Sequence, residues 1–447
     1  MAENGTMNGR TNAAQPLFVE IGSSGLRHYS GYIREELLRE LDGTKGIRVY
    51  KQMATDDILG AVLFANETLI RQVPWHVTPA DETPLAVEHA QLIHGMLFED
   101  MSQSWPMFLS EVLSMQVFGW AYHEICYKRR LGDMPPAGYV PGDPAWDWWA
   151  PSRYDDGLIG VRKLPIRSQD TLLNWLIDKT GGLRGMVQQD QVTPGTATIP
   201  IEKALLFRVF SRKGNPEGAS LLRAAYEDWY FKRHIKRIEG IGIERDLAGL
   251  PVVGVPAELL SPSATEEQRA VVDYSKKLAT SIRQDEQGGV VKPLAYDGNN
   301  NLMFTLELLS TGGARQFDTS AIIQRYDTRM LQTTLSNVLM IGMQNVGTQA
   351  LGDTLSDLYT AALGTIIESI AEVINRHLFP KLWKLNALPM ETLPTLTHGR
   401  VKRVDFDKFT AGVLRLTQAG IMLTPQDEAH VRMETGFPEM IAEEQEL

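Results

Sequence analysis

The chain has 447 residues, 43% of them hydrophobic and 22% charged, with a formal net charge of −11. A chain of this length buries sizeable cores and divides into roughly two to four compact units. Its acidic balance excludes a general DNA-coating protein, which needs many Lys and Arg to displace counterions, but leaves room for one that touches DNA loosely.

Residues 1–16, MAENGTMNGRTNAAQP, are polar, lack the apolar stretch of a signal peptide, and are expected to be mobile unless a partner pins them. Residues 32–43 and 54–72 read as helices. In the second, Ile58, Leu59, Val62, Leu63, Leu69 and Ile70 recur at helical spacing, and Asp56 and Asp57 stand at the favourable N-terminal end. The Asn66-Glu67-Thr68 glycosylation pattern is read as chance, since no secretion signal precedes it. Trp75 to Pro79 reads as extended, and residues 84–99 and 105–118 as two further helices. Gly119 ends the second of these, and Trp120 to Tyr127 alternates like a strand. The only cysteine, Cys126, excludes a disulfide within the chain and points to a reducing compartment at synthesis.

Residues 131–200, rich in Gly, Pro, Trp and Asp, predict short strands and loops, with Trp146, Trp148 and Trp149 serving as core or an inter-subunit contact. IPIEKALLFRVF (199–210) reads as a strand, and Arg212 to Pro216 as a turn. From Ala219 to Leu247 the pattern predicts one long helix, roughly 43 Å if continuous. Leu222, Tyr226, Trp229, Ile235 and Ile238 form its apolar stripe, and Gly240 and Gly242 predict a kink or early stop. Lys232, Arg233, Lys236 and Arg237 share one patch on it. Either this is a solvated face paired with nearby acids, such as Asp228 with Lys232, or it faces a polyanion.

A small unit follows at 250–312. It comprises a strand LPVVGV, a helix from Thr265 to Arg283, a strand GGVVKPLAY, a turn at Asp297–Asn301 and a strand LMFTLELL. A second long helix runs from Asp318 to Ile341. Uncharged GMQNVGTQALG (342–352) comes next, and then a third helix, 353–379, which begins with Asp353 as N-cap and stops before Pro380. The tail predicts helices around 407–419 and after Pro425. The fold class is therefore α+β, mainly helical, with a small α/β unit inserted between two long helices. No run of about 18 apolar residues predicts a membrane span.

Catalytic signatures are missing. The sequence has no GxxxxGK[ST], HExxH, CxxC or GxSxG, and its nine histidines are scattered. No cofactor or metal site is expected, and the protein reads as a non-enzyme.

The ordered segments YKQMATDDILGAVLFANETLIRQVPWHVTP, LSMQVFGWAYHEICYK, IPIEKALLFRVFSRKGNPEGASLLRAAYEDWYFKR, ERDLAGLPVVGVP and LTQAGIMLTPQDEAHVRMETGFPE resemble those of tailed-bacteriophage portal proteins, in the compact Mu-like branch. The resemblance implies a portal-type protomer with a wing, a long-helix stem, a small α/β clip and a helical crown. It divides the chain into an N-terminal arm (1–25), wing (26–217 and 353–404), stem (218–248 and 313–341), clip (249–312), tunnel loop (342–352) and crown (405–447). It further implies a homo-oligomeric ring of twelve subunits at the capsid vertex of a virion, with synthesis in the host cytoplasm. Double-stranded DNA would pass through the ring during packaging and ejection. The implied partners are the terminase large subunit, a head-tail adaptor, and the major capsid and scaffolding proteins. Gln344, Asn345, Thr348 and Gln349 would then touch DNA through neutral hydrogen bonds, with Gly342, Gly347 and Gly352 as hinges. The rival readings are another structural virion protein, such as a head-tail adaptor, and an enzyme.

Overall fold

The computed structural model describes residues 22–178, 180–189, 195–248, 250–262, 264–281, 304–309, 318–336 and 349–401, together with residues 414, 415, 418 and 424. The expectations for the N-terminal arm, the GGVVKPLAY strand, the Asp297–Asn301 turn and most of the tail lie outside the described residues. The chain separates into two compact units, Met1–Ala224 with Leu331–Leu447, and Ala225–Met330.

The first unit begins with a departure from the sequence reading. Residues 32–43 do not form a helix. His28–Tyr29 pairs antiparallel with Tyr32–Ile33, because Ser30 and Gly31 supply the two positive φ values (50° and 83°) of a tight hairpin turn. Two acids of this segment make tertiary bonds instead. Glu35 accepts from Lys213 at 2.9 Å, and Glu36 binds the Arg223 guanidinium through two bonds of 2.7 and 2.8 Å. The first helix is Gly43–Ala54. The second, Asp57–Arg71, starts where Asp56 accepts from the backbone N–H of Ile58 and Leu59. Helices Pro84–His94 and Trp105–Val112 follow, capped by Thr83 and Ser104.

The central sheet has the order Ala204–Arg208, Trp120–Glu124, Ile166–Arg167, with antiparallel pairing throughout. Its two longer strands are buried on both faces, and their period of two splits the interior into two cores. Leu205, Phe207 and Ala121 point into the larger one, with Phe108, Val112, Ile367, Ile370, Phe379 and Trp383. Leu206, Trp120 and Tyr122 point into the smaller one, with Trp175 and Met186. A second three-stranded sheet (Leu172–Ile177, Leu183–Gln189, Thr196–Pro200) backs the smaller core. The strand predicted from Trp120 to Tyr127 breaks at Ile125, whose N–H goes to the Lys203 carbonyl instead. Gly119 (φ 89°) ends its helix, as read from sequence, and a Cβ there would lie 2.5 Å from the Glu217 carbonyl.

Residues 349–401 complete this unit. Helix Gln349–Val373 leads through a π turn, Ile374–Leu378, into helix Phe379–Leu385. Pro380 thus does not stop the helical path. It sits in the first turn of the last helix, where a missing N–H leaves no bond unmade. Strand Thr395–His398 then pairs with Trp75–Thr78. The Tyr359 hydroxyl donates to Asn66 at 2.6 Å, and Asn66 donates to Gln116 at 2.7 Å, inside the core. Asn66 is buried and bonded, so the glycosylation pattern has no accessible acceptor.

In the second unit the long helix is Tyr226–Ala248. It starts later than predicted because Leu221–Ala225 is a 3₁₀ turn, held by the Ser220 hydroxyl accepting from Leu222 N–H at 3.0 Å. Gly240 and Gly242 do not interrupt it. Strand Leu250–Gly254, helix Glu266–Ser281 and strand Thr305–Leu309 follow, and the two strands pair antiparallel. Helix Thr319–Thr333 closes the unit.

Candidate functional site

The two long helices of the second unit run antiparallel, since their contacts descend along one as they ascend along the other. Asp228 meets Arg329 at 3.7 Å and Lys232 meets Asp327 at 2.6 Å. Phe231 stacks on Tyr326 with ring centroids 6.5 Å apart, and Thr319 donates to Glu239 at 2.5 Å. The inserted α/β segment follows the C-terminus of one helix and precedes the N-terminus of the other, so it occupies their shared end.

The four-residue basic patch is not one surface. Lys232 is fully buried and its ammonium is bound to Asp327, whereas Arg233, Lys236 and Arg237 are exposed. A buried ammonium needs a carboxylate partner, and Asp327 supplies it from the opposite helix. Asp228, the partner expected from the i,i+4 spacing, faces Arg329 instead. The Arg233 guanidinium lies 5.5 Å over the Trp229 ring. Sequence reasoning missed Asp327. Its only signal is its place next to Tyr326, which faces Phe231 of the first helix.

The apolar stripe is also uneven. Leu222, Tyr226 and Trp229 are buried and Ile235 half-buried, but Tyr230, Phe231, Ile238 and Ile241 are exposed, Ile238 by 59%. These side chains make an exposed apolar strip along the helix.

Gln344, Asn345, Thr348, Gly342 and Gly347 lie outside the described residues. Gln349 and Gly352 fall inside the helix Gln349–Val373, so Asp353 is not its N-cap and Gly352 is not a loop residue. The helix begins earlier because Gln349, Ala350 and Leu351 are good helix formers.

The buried titratable groups of the first unit have structural explanations. Burial pushes the His123 imidazole down to about 4, opposed by its Nδ1 contact with the Leu164 carbonyl at 2.7 Å. Burial pushes the Glu217 carboxyl up to about 7, opposed by the Trp175 indole N–H that donates to it at 3.1 Å. Asp100 is buried against the Lys128 ammonium at 3.0 Å and accepts from the Ser152 hydroxyl at 2.9 Å. Among the described residues no group of three His, Cys, Asp or Glu could hold a metal ion, and no helix is long and apolar enough to cross a membrane.

The described part of the second unit is thus an antiparallel helix pair with a small α/β segment at its shared end. A family profile described as the portal protein of Mu bacteriophage matches residues 47–437, and the chain belongs to that family. Portal proteins are structural components of the phage particle. Two solved structures are similar over most of the chain. One is the neck of an empty gene transfer agent particle, with 12% identity, a TM-score of 0.49, and coverage of 90% of this chain and 95% of that one. The other is an HK97-family phage portal protein from Corynebacterium diphtheriae, with 11% identity, a TM-score of 0.39, and coverage of 78% and 94%.

Proposed function

We propose that this portal protein forms a ring of twelve copies at one vertex of a virion, through which double-stranded DNA enters during packaging and leaves on ejection. The family match over 47–437 carries this reading. The antiparallel helix pair supports it as the stem, with the exposed face of Tyr230, Phe231 and Ile238 covered by the neighbouring copy. The segment 249–312 is the clip, which meets the terminase large subunit and later the head-tail adaptor. Major capsid and scaffolding proteins surround the ring. Residues 342–348, ahead of the helix that begins at Gln349, line the channel. The net charge of −11, repeated in each copy, lets DNA pass without being held.

Negative-stain microscopy of the purified protein tests the reading. A ring with a central hole of duplex width is the expected image, and a compact monomer at every concentration would sink it. A second experiment tests the channel. Gln344→Lys or Asn345→Lys should slow packaging at low salt, where the added charges are least screened, while rings still assemble. Wild-type packaging rates would place this loop away from the DNA.

A further inference from the structure

Two surfaces of the first unit are opposite in charge, and each exposes apolar side chains. Loop 131–156 carries Asp133, Asp143, Asp147, Asp155 and Asp156 against a single cation, Arg153, all six of them exposed. Beside these acids it exposes Met134, Val140 and Trp148, by 76%, 53% and 38%. Segment 373–390 carries Arg376, His377, Lys381 and Lys384 and no acid. It exposes Leu385 and Met390 by 47% and 49%. Its cations are crowded. Burial, and then Lys381, Arg208 and Arg376, depress the His377 imidazole below its usual range, with only Glu372 opposing.

The loop is held in one shape although it lacks regular structure. Tyr139 packs on Trp149 with ring centroids 4.6 Å apart, and Trp149 is buried. Ser152 donates to both oxygens of buried Asp100 at 2.9 Å, and the Arg130 guanidinium lies 4.0 Å over the Tyr154 ring. An anchored loop loses little conformational freedom on binding. Its charge repels DNA. Within one copy, no ion pair joins the two surfaces among the described residues. Among the described residues the side chains of Asp147 and Lys384 make no bond within the copy, whereas Asp143 accepts from the Ala145 N–H at 2.9 Å and Arg376 binds exposed Glu372 at 2.8 Å, weak surface contacts that leave both groups in reach of a partner.

We infer that loop 131–156 of one copy docks on the basic 376–385 segment of a neighbouring copy, aspartates against Arg376 and Lys384 and Trp148 against Leu385. The inference rests on the ring reading above and adds to it a specific contact, outside the stem.

The test starts with zero-length carbodiimide cross-linking of rings assembled from isotopically labelled and unlabelled wild-type protein. Links from Lys384 to Asp143 or Asp147 should join labelled to unlabelled peptides. The variant pair Arg376→Glu with Lys384→Glu should raise the protein concentration for half-assembly at least tenfold without changing the melting temperature. Asp143→Lys with Asp147→Lys should do the same. All four substitutions together should bring assembly back to within threefold of wild type. Rings that form with no link between these segments, or a fourfold variant that keeps the defect, would overturn the docking while leaving the ring intact. If the Arg376 and Lys384 reversals spare assembly but abolish retention of a DNA duplex, the basic segment is a nucleic-acid contact and the inference fails. A wild-type protein that never leaves the monomer overturns both readings at once.

Discussion

The two compact units solve the burial problem differently. The first encloses its sheet between two cores and buries large aromatics completely, among them Phe108, Tyr122, Trp175, Phe207 and Trp383. In the second, the buried apolar side chains among the described residues are Ala225, Tyr226, Trp229, Ala264, Val272 and Met330, while Phe231, Ile238, Leu260 and Tyr274 are exposed. Burying one large side chain contributes roughly 1.5–3 kcal/mol, so the first unit has ample reason to fold by itself. In the second, one contact across the described helix pair is the buried Lys232–Asp327 ion pair. The difference teaches that burial within one copy is complete around the sheet of the first unit and leaves large apolar side chains in water on the second.

The comparison breaks most visibly at Trp383, which is 1% exposed and donates to the Pro389 carbonyl at 3.0 Å. Trp383→Ala should cost about 3–5 kcal/mol in denaturant unfolding of the first unit. A loss under about 1 kcal/mol would show that the large core is not what holds it.

In the second unit the Lys232–Asp327 pair is the contact to break. Lys232→Met leaves the Asp327 carboxylate without its cation and should cost about 3 kcal/mol, read as faster native-state hydrogen exchange in 226–248. Lys232→Met combined with Asp327→Leu should recover most of that loss, since a buried pair and an apolar pair of similar size are nearly equivalent. A double variant as unstable as the single one would mean that the pair does more than satisfy its own charges.

Glu217 and His123 give the first unit a pH dependence of its own. The folded Glu217 pKa is raised, so the stability it contributes is complete below about 4.5 and is lost as pH rises to about 7. The folded His123 pKa is lowered, so its contribution is complete above about 6.5 and is lost as pH falls to about 4. The two oppose each other between these limits. Glu217→Gln keeps an acceptor for the Trp175 indole and removes the first effect. It should stabilise by about 1–3 kcal/mol at pH 8 and by little at pH 4.5, in melting curves across that range. Equal gains at both pH values would exclude titration as the cause.

The smallest effect on the protomer is expected on the exposed face of helix Tyr226–Ala248. Ile238→Ser should change protomer stability by no more than about 0.5 kcal/mol, yet weaken ring assembly in sedimentation. A large loss in the isolated protomer would mean that Ile238 is buried within one copy after all.

Much of this was legible in the sequence, and what was not had physical reasons. Helix Asp57–Arg71 could be read because its periodicity, Asp56 cap and burial agree. The inserted unit between two long helices could be read because a change of period marks each boundary. Residues 32–43 could not, because Glu35 and Glu36 bind cations far along the chain, and such tertiary bonds override local preference. The split of the basic patch was hidden for the same reason. Spacing places Lys232 beside Arg233 and Lys236, but only the opposite helix decides which of them is desolvated. Pro380 misled because a π turn before it re-phases the helix, which composition does not reveal.

The pairing of Trp75–Thr78 with Thr395–His398 sets a timetable for biosynthesis. The hydroxyls of Thr78 and Thr397, joined at 3.0 Å, are 319 residues apart in the chain. At about 5–20 residues per second, the ribosome takes roughly 16–64 s to deliver the second strand after the first. The unit 225–330 leaves the exit tunnel complete within that interval. A nascent chain therefore shows the exposed apolar side chains of this unit, among them Phe231 and Ile238, before the first unit can close its last strand pair.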